Sequence, residues 1–145
     1  MQLIYWIERK TTRMIDLYTA ATPNGWKASI TLEELGLPYN LNVLDLGKGD
    51  QKDPEYMRLN PNGRIPAIVD RDTGLNLFET GAIMVYLAEK HGKFLPASGE
   101  PRARVMEWLM WQMGGFGPML GQLHHFGKFN KGVSQYAEDR FSKEA

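Results

Sequence analysis

The sequence predicts an α/β fold with a small mixed sheet, followed by a segment made only of helices. Two observations predict the α/β part: a helical pattern of apolar residues separates the first two strand-like runs, and a short polar turn separates the next two. Helical spacing of apolar residues after residue 101 predicts the helical part. The length of 145 residues suits one ordinary domain, or one small domain with part of another.

The composition excludes several classes of protein. Seventeen Lys and Arg residues balance 17 Asp and Glu residues, so no overall charge favours nucleic acid or an anionic membrane as a partner. The absence of cysteine excludes a disulfide framework, a cysteine nucleophile and a thiolate metal site. Apolar residues make up 43%, enough for a core, and no apolar run approaches the length of a membrane span. We therefore expect a globular, cytoplasmic protein whose thiol chemistry, if it has any, uses a sulfur of the substrate.

The first strand and helix follow an N-terminal extension, residues 1–13. Within it, residues 3–7 have a composition that suits β structure, so an added edge strand is the alternative to an irregular extension. A strand-like run at residues 15–18 precedes a helix with Thr22 as its N-cap and a proline at its first position. Gly36 is the expected end of that helix.

A second strand, residues 39–44, leads into a polar, glycine-rich loop. Asp53, followed by a proline, predicts the start of a short helix that must end before Pro61. The next two strands, residues 67–69 and 75–78, are separated by a short polar segment that ends in glycine and predicts a hairpin.

A helix from Glu79 to about Lys90 completes the order β-α-β-α-β-β-α within a domain at residues 14–92. A helix between the first two strands implies a parallel, right-handed crossover, whereas the last two strands form an antiparallel hairpin. This order matches a thioredoxin-like fold.

The helical part follows a linker with proline and glycine at residues 93–101. A helix from about Arg102 is apolar nearly all round and therefore needs burial on more than one side. Glycines and a proline at residues 114–118 predict a kink or break, and another helical stretch begins at about Ser134. We expect residues 102–145 to form a partial α-helical domain.

Two adjacent histidines, His124 and His125, raise the question of a metal site. Adjacent residues on a helix point about 100° apart, which makes them a poor pair of ligands for one ion. We expect no metal.

In a thioredoxin-like domain the active position is the loop between the first strand and the first helix. The helix N-terminus presents unpaired N–H groups and the positive end of the helix dipole, which stabilise a thiolate and lower its pKa. Redox thioredoxins place Cys-x-x-Cys there, but residues 22–25 of this chain read TPNG. The sequence therefore indicates a fold that binds the thiol of another molecule.

These residues, together with NGRIPAIV at residues 62–69 and LFETGAI at residues 77–83, resemble a glutathione transferase. A closer resemblance is to bacterial nu-class, glutathione-dependent disulfide-bond oxidoreductases. It rests on TPNG, on IDLY at residues 15–18, on DLGKG at residues 45–49, and on the spacing from WQ at 111–112 to GQ at 121–122. The resemblance covers residues 14–145 and implies glutathione as co-substrate and no metal. Family members continue for several helices beyond this point, and the resemblance implies a homodimer if that helical domain is complete.

The resemblance assigns the sulfur of glutathione to Thr22 and Asn24, whose hydroxyl and amide or backbone N–H would donate to the thiolate. Tyr18 is the alternative, because tyrosine-type glutathione transferases use a tyrosine near the end of this strand. From the residues alone, Thr22 and Asn24 could simply cap the helix. Replacing Thr22 and Tyr18 singly would decide between them.

The resemblance places the remaining glutathione contacts on four segments. A cis peptide between Ile65 and Pro66 would turn the Ile65 backbone toward a peptide-like ligand, and an ordinary trans proline at a strand start is the alternative. At the start of the third helix, Thr80 would bind the γ-glutamyl carboxylate and Glu79 its ammonium group. Gln51 and Arg64 are candidates for the glycyl carboxylate because both lie in loops beside the proposed site, and solvated surface is the alternative for either. The resemblance assigns a contact across a dimer interface to Arg140, which on its own would be one arginine on a polar helix face.

The function implied is a glutathione-dependent reductase of small or mixed disulfides that works without a protein cysteine. Conjugation of glutathione to an electrophile is the alternative within enzymes, since it uses the same activated thiolate. A binding or regulatory module, as in fungal nitrogen-regulator proteins with similar thioredoxin-like domains, or an inactive fragment, is the alternative of another class.

Overall fold

A computed structural model of the chain describes residues 14–145. The prediction of an extension at residues 1–13, with an added strand at residues 3–7, lies outside the described residues. The chain forms two compact units that divide between Leu95 and Pro96, and each is described by itself.

The first unit contains a four-stranded sheet in the order β2-β1-β3-β4. Its strands are β1 (Ile15–Thr19), β2 (Tyr39–Val43), β3 (Ala67–Asp70) and β4 (Leu75–Phe78). β1 and β2 are parallel, whereas β3 pairs antiparallel with both β1 and β4. The predicted parallel crossover and the predicted hairpin are therefore both confirmed.

Three helices accompany this sheet: α1 (Pro23–Leu35), α2 (Pro54–Leu59) and α3 (Thr80–His91). The predicted cap of α1 is confirmed, because the Thr22 hydroxyl accepts a hydrogen bond from the Gly25 N–H at 3.2 Å. The helix ends as predicted at Gly36, whose φ of 69° lies in the left-handed region that favours glycine.

The core of the first unit lies between the sheet and the pair of helices α1 and α3. Its fully buried large side chains include Leu17, Leu32, Ile68, Ile83 and Leu87. Each such side chain contributes about 1.5–3 kcal/mol of hydrophobic free energy relative to an exposed one. This core fixes the strand ends, and with them the loops that follow.

Register defines two ends of the sheet. At the first, Thr19 lies beside Val43, and Ala67 pairs with both Tyr18 and Phe78. We call it the loop end, because β1, β2 and β4 end there and β3 begins. At the opposite end, which we call the hairpin end, Asp70 pairs with Ile15 and Leu75.

The second unit consists of α4 (Gly99–Trp111), α5 (Gly117–His124) and α6 (Gln135–Glu144). The helix expected from about Arg102 begins earlier, at Gly99. At residues 114–118, where a kink or break is expected, the chain does not break, because a π-helical segment, Gln112–Phe116, leads directly into α5. Pro118 lacks an N–H and would crowd the preceding turn of a regular helix, and the wider π-helical turn accommodates it.

Of residues 96–145, all of which the structure describes, none is buried. Several aromatic side chains of this unit are exposed, among them Trp108 and Trp111, whose rings contact each other edge to face with centres 5.5 Å apart. Within the part of the chain that the structure describes, no helix is both long enough and apolar enough to cross a membrane.

Candidate functional site

The loop end of the sheet brings together four segments that lie far apart in the sequence. Residues 20–22 follow β1, residues 44–52 follow β2, residues 62–66 precede β3, and residues 79–80 follow β4. Because the register places these strand ends side by side, Thr22, Gln51, Ile65 and Thr80 all belong to this end. Arg140 lies exposed on α6 in the second unit, so its role stays a prediction.

The N-terminus of α1 is held tightly against the chain that leaves β1. The Thr22 N–H donates to the Ala20 carbonyl at 2.8 Å, and the Trp26 N–H donates to the Thr22 carbonyl at 2.9 Å. A Cβ at Gly25 would overlap the Ala20 carbonyl oxygen and the Thr19 hydroxyl. Glycine at this position therefore allows the close approach that fixes the first turn of α1.

The side chain of Asn24 is exposed but has a partner on the next turn of α1. Lys27 Nζ donates to Asn24 Oδ1 at 3.0 Å. Partial burial lowers the pKa of Lys27, and the nearby Glu79 carboxylate acts in the opposite direction. Sequence reasoning missed Lys27; the signal available was its spacing of three residues from Asn24 on a helix.

The peptide bond between Ile65 and Pro66 is cis, as predicted. The preceding Arg64 carbonyl accepts hydrogen bonds from the Tyr56 hydroxyl at 2.5 Å and from Asn60 Nδ2 at 2.6 Å. Asn60 is only 2% exposed. This support fixes the direction of the Ile65 backbone at the loop end. Sequence reasoning identified Arg64, Ile65 and Pro66, but missed the two side chains that hold them.

Gln51 lies in a 3₁₀ turn, Asp50–Lys52, within the loop after β2. Its Oε1 is buried and has no hydrogen-bond partner among residues 14–145. A buried amide oxygen left unpaired costs about 1–3 kcal/mol, so a ligand N–H placed there would gain a ready acceptor. The Lys52 ammonium lies against Gly63, next to the loop that carries Arg64.

The start of α3 has an unusual backbone. Glu79, the N-cap, has a φ of 71° and makes no side-chain capping bond. A left-handed conformation at a residue other than glycine costs about 1–3 kcal/mol and is concentrated at functional sites. Thr80 is buried, and the first-turn N–H groups of α3 lack partners within the helix, as in any helix. This terminus can bind a carboxylate, with Glu79 available for a neighbouring cation.

Tyr18 lies on the face of the sheet opposite to Leu17, since successive strand residues alternate. Leu17 belongs to the core under α1 and α3, whereas the Tyr18 ring packs against Tyr56 of α2, with ring centres 6.0 Å apart. Burial raises the pKa of Tyr56, and its bond with Asn60 opposes this. The Tyr18 ring therefore packs on the α2 side of the sheet, while Thr22 caps α1 itself.

The two histidines of the helical unit each contact a neighbour. The His124 ring lies 4.7 Å from the Phe129 ring, and His125 Nε2 lies 3.1 Å from Asn130 Nδ2. Among residues 14–145, no group of three or more His, Cys, Asp or Glu side chains is placed to hold a metal ion.

Comparison with known proteins agrees with this geometry. Residues 13–89 match the family model "Glutathione S-transferase, N-terminal domain". The chain is 53% identical over 136 residues to the disulfide-bond oxidoreductase YfcG of Escherichia coli (strain K12), a match covering 90% of this chain and 63% of that protein. The chain belongs to the glutathione S-transferase family.

Two solved structures give the same picture. A glutathione transferase family member from Pseudomonas fluorescens pf-5, with two glutathione bound, has a TM-score of 0.87 and 40% identity. That match covers 98% of this chain and 65% of the other. A glutathione transferase from Pseudomonas putida, with one glutathione disulfide per subunit, has a TM-score of 0.84 and 41% identity, over 97% and 64% of the two chains. The chain thus spans less than two thirds of the length of these relatives.

Proposed function

We propose that this chain binds glutathione at the loop end of its sheet and uses it to reduce small or mixed disulfides. The observation that carries the proposal is the loop end of a chain without cysteine: the Ile65 backbone, fixed through the bonds of Tyr56 and Asn60 to the Arg64 carbonyl, and the capped N-terminus of α1 belong to the same end of the sheet. This arrangement offers a backbone edge for a peptide and a helix terminus for a thiolate, but no protein thiol. Supporting it, the relatives named above include an oxidoreductase of disulfide bonds and proteins with bound glutathione or its disulfide.

In the proposed binding mode, the Ile65 N–H and C=O pair with the backbone of glutathione as a neighbouring strand would. Thr80 and the first N–H groups of α3 bind the γ-glutamyl carboxylate, and Glu79 binds the adjacent ammonium group. Gln51 and Arg64 bind the glycyl end. We assign these contacts to a domain at residues 14–92, joined by residues 93–101 to a helical domain at residues 102–145.

The sulfur is proposed to lie at the N-terminus of α1, where Thr22 and Asn24 donate to it. The packing of the Tyr18 ring against Tyr56 favours Thr22 over Tyr18 in this role. We also propose a cytoplasmic homodimer in which Arg140 of one protomer reaches the glutathione of its partner.

The proposed chemistry is thiol–disulfide exchange between small molecules held by the protein. The thiolate of one glutathione attacks a sulfur of the substrate disulfide, forming a mixed disulfide and releasing the other sulfur as a thiolate. A second glutathione thiolate attacks the glutathione sulfur of that mixed disulfide, which yields glutathione disulfide and the second substrate thiolate. Two glutathione molecules are oxidised and one disulfide is reduced, with no electron passing through a protein sulfur.

The test is calorimetric titration with reduced and oxidised glutathione, alongside coupled assays of hydroxyethyl disulfide reduction and of conjugation to an aromatic electrophile. Binding with disulfide turnover is the expected result. Conjugation without disulfide turnover would replace the proposed reaction by the transferase reaction, and binding without either would indicate a regulatory module. Absence of binding to a folded chain would overturn the proposal.

The assignment of the sulfur contact has its own pair of variants, Thr22→Val and Tyr18→Phe, which both remove one hydroxyl at nearly constant volume. We expect the Thr22 variant to lose about tenfold or more in turnover and the Tyr18 variant to keep most of it. An intact rate in the Thr22 variant would contradict the assignment.

A further inference from the structure

Lys27 links two parts of the proposed site that the sequence places more than 50 residues apart. It lies one turn after Asn24 on α1, and its ammonium donates to Asn24 Oδ1 at 3.0 Å. It also interacts electrostatically with Glu79, the residue before α3. Lys27 thus contacts the residue proposed for the sulfur and interacts electrostatically with the residue proposed for the glutamyl ammonium group.

The contact with Lys27 fixes which end of the Asn24 amide is available to a ligand. An ammonium group carries three donors and no acceptor, so it can bond only to the amide oxygen. The NH₂ group of Asn24 is therefore the end left for a bound molecule. A thiolate only accepts hydrogen bonds, and the amide is held in the orientation that a thiolate requires.

The charge of Lys27 acts in the same direction. A cation within a few ångströms of an ionisable thiol favours the thiolate and lowers its pKa. The first turn of α1 carries no acidic residue that would oppose this effect. The Glu79 carboxylate, which precedes α3 and interacts with Lys27, disfavours the thiolate, so the Lys27 charge acts against it.

We propose that Lys27 is a positioning residue for the sulfur of bound glutathione. It holds the Asn24 amide with its NH₂ group toward the thiolate, and it supplies a positive charge one amide away from the sulfur. This inference rests on the proposed function and adds a residue to its site. It assigns to Lys27 an effect on the thiol rather than on the affinity for the rest of glutathione.

The test compares the wild-type chain with Lys27→Met, Lys27→Arg and, as a control, Lys93→Met. Methionine keeps much of the apolar stem of Lys27 but removes the donor and the charge, whereas Lys93 is an exposed lysine beyond the end of α3. The first readout is the ultraviolet absorbance of the thiolate of bound glutathione as a function of pH. The second is calorimetric affinity for S-methylglutathione, which has no thiol.

We expect Lys27→Met to raise the pH midpoint of thiolate formation by about one unit, a tenfold loss of thiolate below the midpoint. Lys27→Arg should lie close to the wild type, and Lys93→Met should not differ from it. The affinity for S-methylglutathione should stay within about twofold in all four proteins, because Lys27 acts on the sulfur.

Three results would overturn the inference. An unchanged midpoint in a Lys27→Met chain that binds glutathione would remove Lys27 from the site while leaving the proposed function intact. Loss of S-methylglutathione binding in that variant would show a merely structural role. Failure of the wild-type chain itself to bind glutathione would overturn the proposed function, and the inference with it.

Discussion

The two ends of the sheet differ in whether the protein itself supplies hydrogen-bond partners for their polar side chains. At the hairpin end, Asp70 is fully buried and accepts hydrogen bonds from Lys90 Nζ and the Tyr86 hydroxyl, both at 2.5 Å. Asp16 is also buried there and accepts from Arg71 Nε and Asn40 Nδ2, both at 2.7 Å. Each buried carboxylate at this end is satisfied by the protein itself.

At the loop end, a buried amide oxygen and an exposed glutamate are left for a ligand. Gln51 Oε1 is buried without a partner among the described residues, and Glu79 stands in a left-handed conformation without capping α3. The N-termini of α1 and α3 both belong to this end, and each presents first-turn N–H groups. Buried polar groups alone therefore do not identify a site: the buried carboxylates of the hairpin end are paired, whereas Gln51 Oε1 at the loop end is not.

The largest expected effect concerns the hairpin end. Replacement of Asp70 by alanine leaves the partly buried Lys90 ammonium without its main partner, so we expect the free energy of unfolding to fall by about 3 kcal/mol. Urea unfolding followed by circular dichroism measures it. Asp72→Ala is the matched control: Asp72 also pairs with Lys90, at 3.0 Å, but is 39% exposed, and its loss should cost less than about 1 kcal/mol. Equal losses of unfolding free energy in the two variants would contradict the conclusion that the protein itself satisfies the buried Asp70 carboxylate.

The next effect concerns the close approach at the start of α1. The Cβ added in Gly25→Ala would overlap both the Ala20 carbonyl oxygen and the Thr19 hydroxyl, so the first turn of α1 must move away from them. We expect a loss of about 2 kcal/mol in the free energy of unfolding. Glutathione affinity should fall as well, because the first turn of α1 moves. Gly121→Ala offers the opposite case, since a Cβ there meets nothing within 4 Å and should stabilise α5 by about 0.5–1 kcal/mol. A Gly25→Ala chain with the stability and glutathione affinity of the wild type would contradict the inference that this close approach shapes the site.

A smaller effect separates binding from stability at the loop end. Thr80→Val removes a buried hydroxyl at nearly constant volume, and we expect about a tenfold loss of glutathione affinity by calorimetry. Thr31→Val is the control, because the Thr31 hydroxyl donates to the Lys27 carbonyl within α1 at 2.7 Å and should affect stability rather than affinity. Equal affinities of the Thr80 variant and the wild type would remove Thr80 from the site.

The smallest effect is a dependence of stability on pH that arises at the hairpin end. Burial alone would raise the pKa of Asp70, but hydrogen bonds from Lys90 and Tyr86 outweigh it and hold the pKa below its ordinary value. A lowered native pKa gives stability that is present above the ordinary Asp value and is lost as pH falls through the native value. Unfolding free energy should therefore decline in acid, below about pH 4, and less steeply in Asp70→Asn. Parallel acid profiles for the two proteins would contradict this origin.

Local signals in the sequence were sufficient for much of the fold. The caps Thr22 and Gly36 are specified by residue type at a helix end, and both are confirmed. At residues 114–118 the sequence predicted a kink or break, and the chain does not break but widens into a π-helical turn. Glycines and a proline indicate a weak point in a helix, but they do not distinguish these outcomes.

The candidate site also contains features that the sequence predicted and features that it did not. Sequence motifs placed Thr22, Ile65 and Glu79 at strand and helix ends, and such ends can be predicted from local sequence patterns. The supporting contacts could not be predicted, because they depend on tertiary packing. Residue spacing has no signature of the bonds from Tyr56 and Asn60 to the Arg64 carbonyl, or of the electrostatic interaction between Lys27 and Glu79.

Amide chemical-shift mapping by NMR during titration with glutathione tests directly whether the loop end, and not the hairpin end, binds glutathione. We expect shifts at Asn24, Ile65 and Thr80, with Asp72 and Thr73 in the β3–β4 turn unchanged. Shifts confined to the hairpin turn, or absent from the first turns of both α1 and α3 at saturating glutathione, would contradict this expectation.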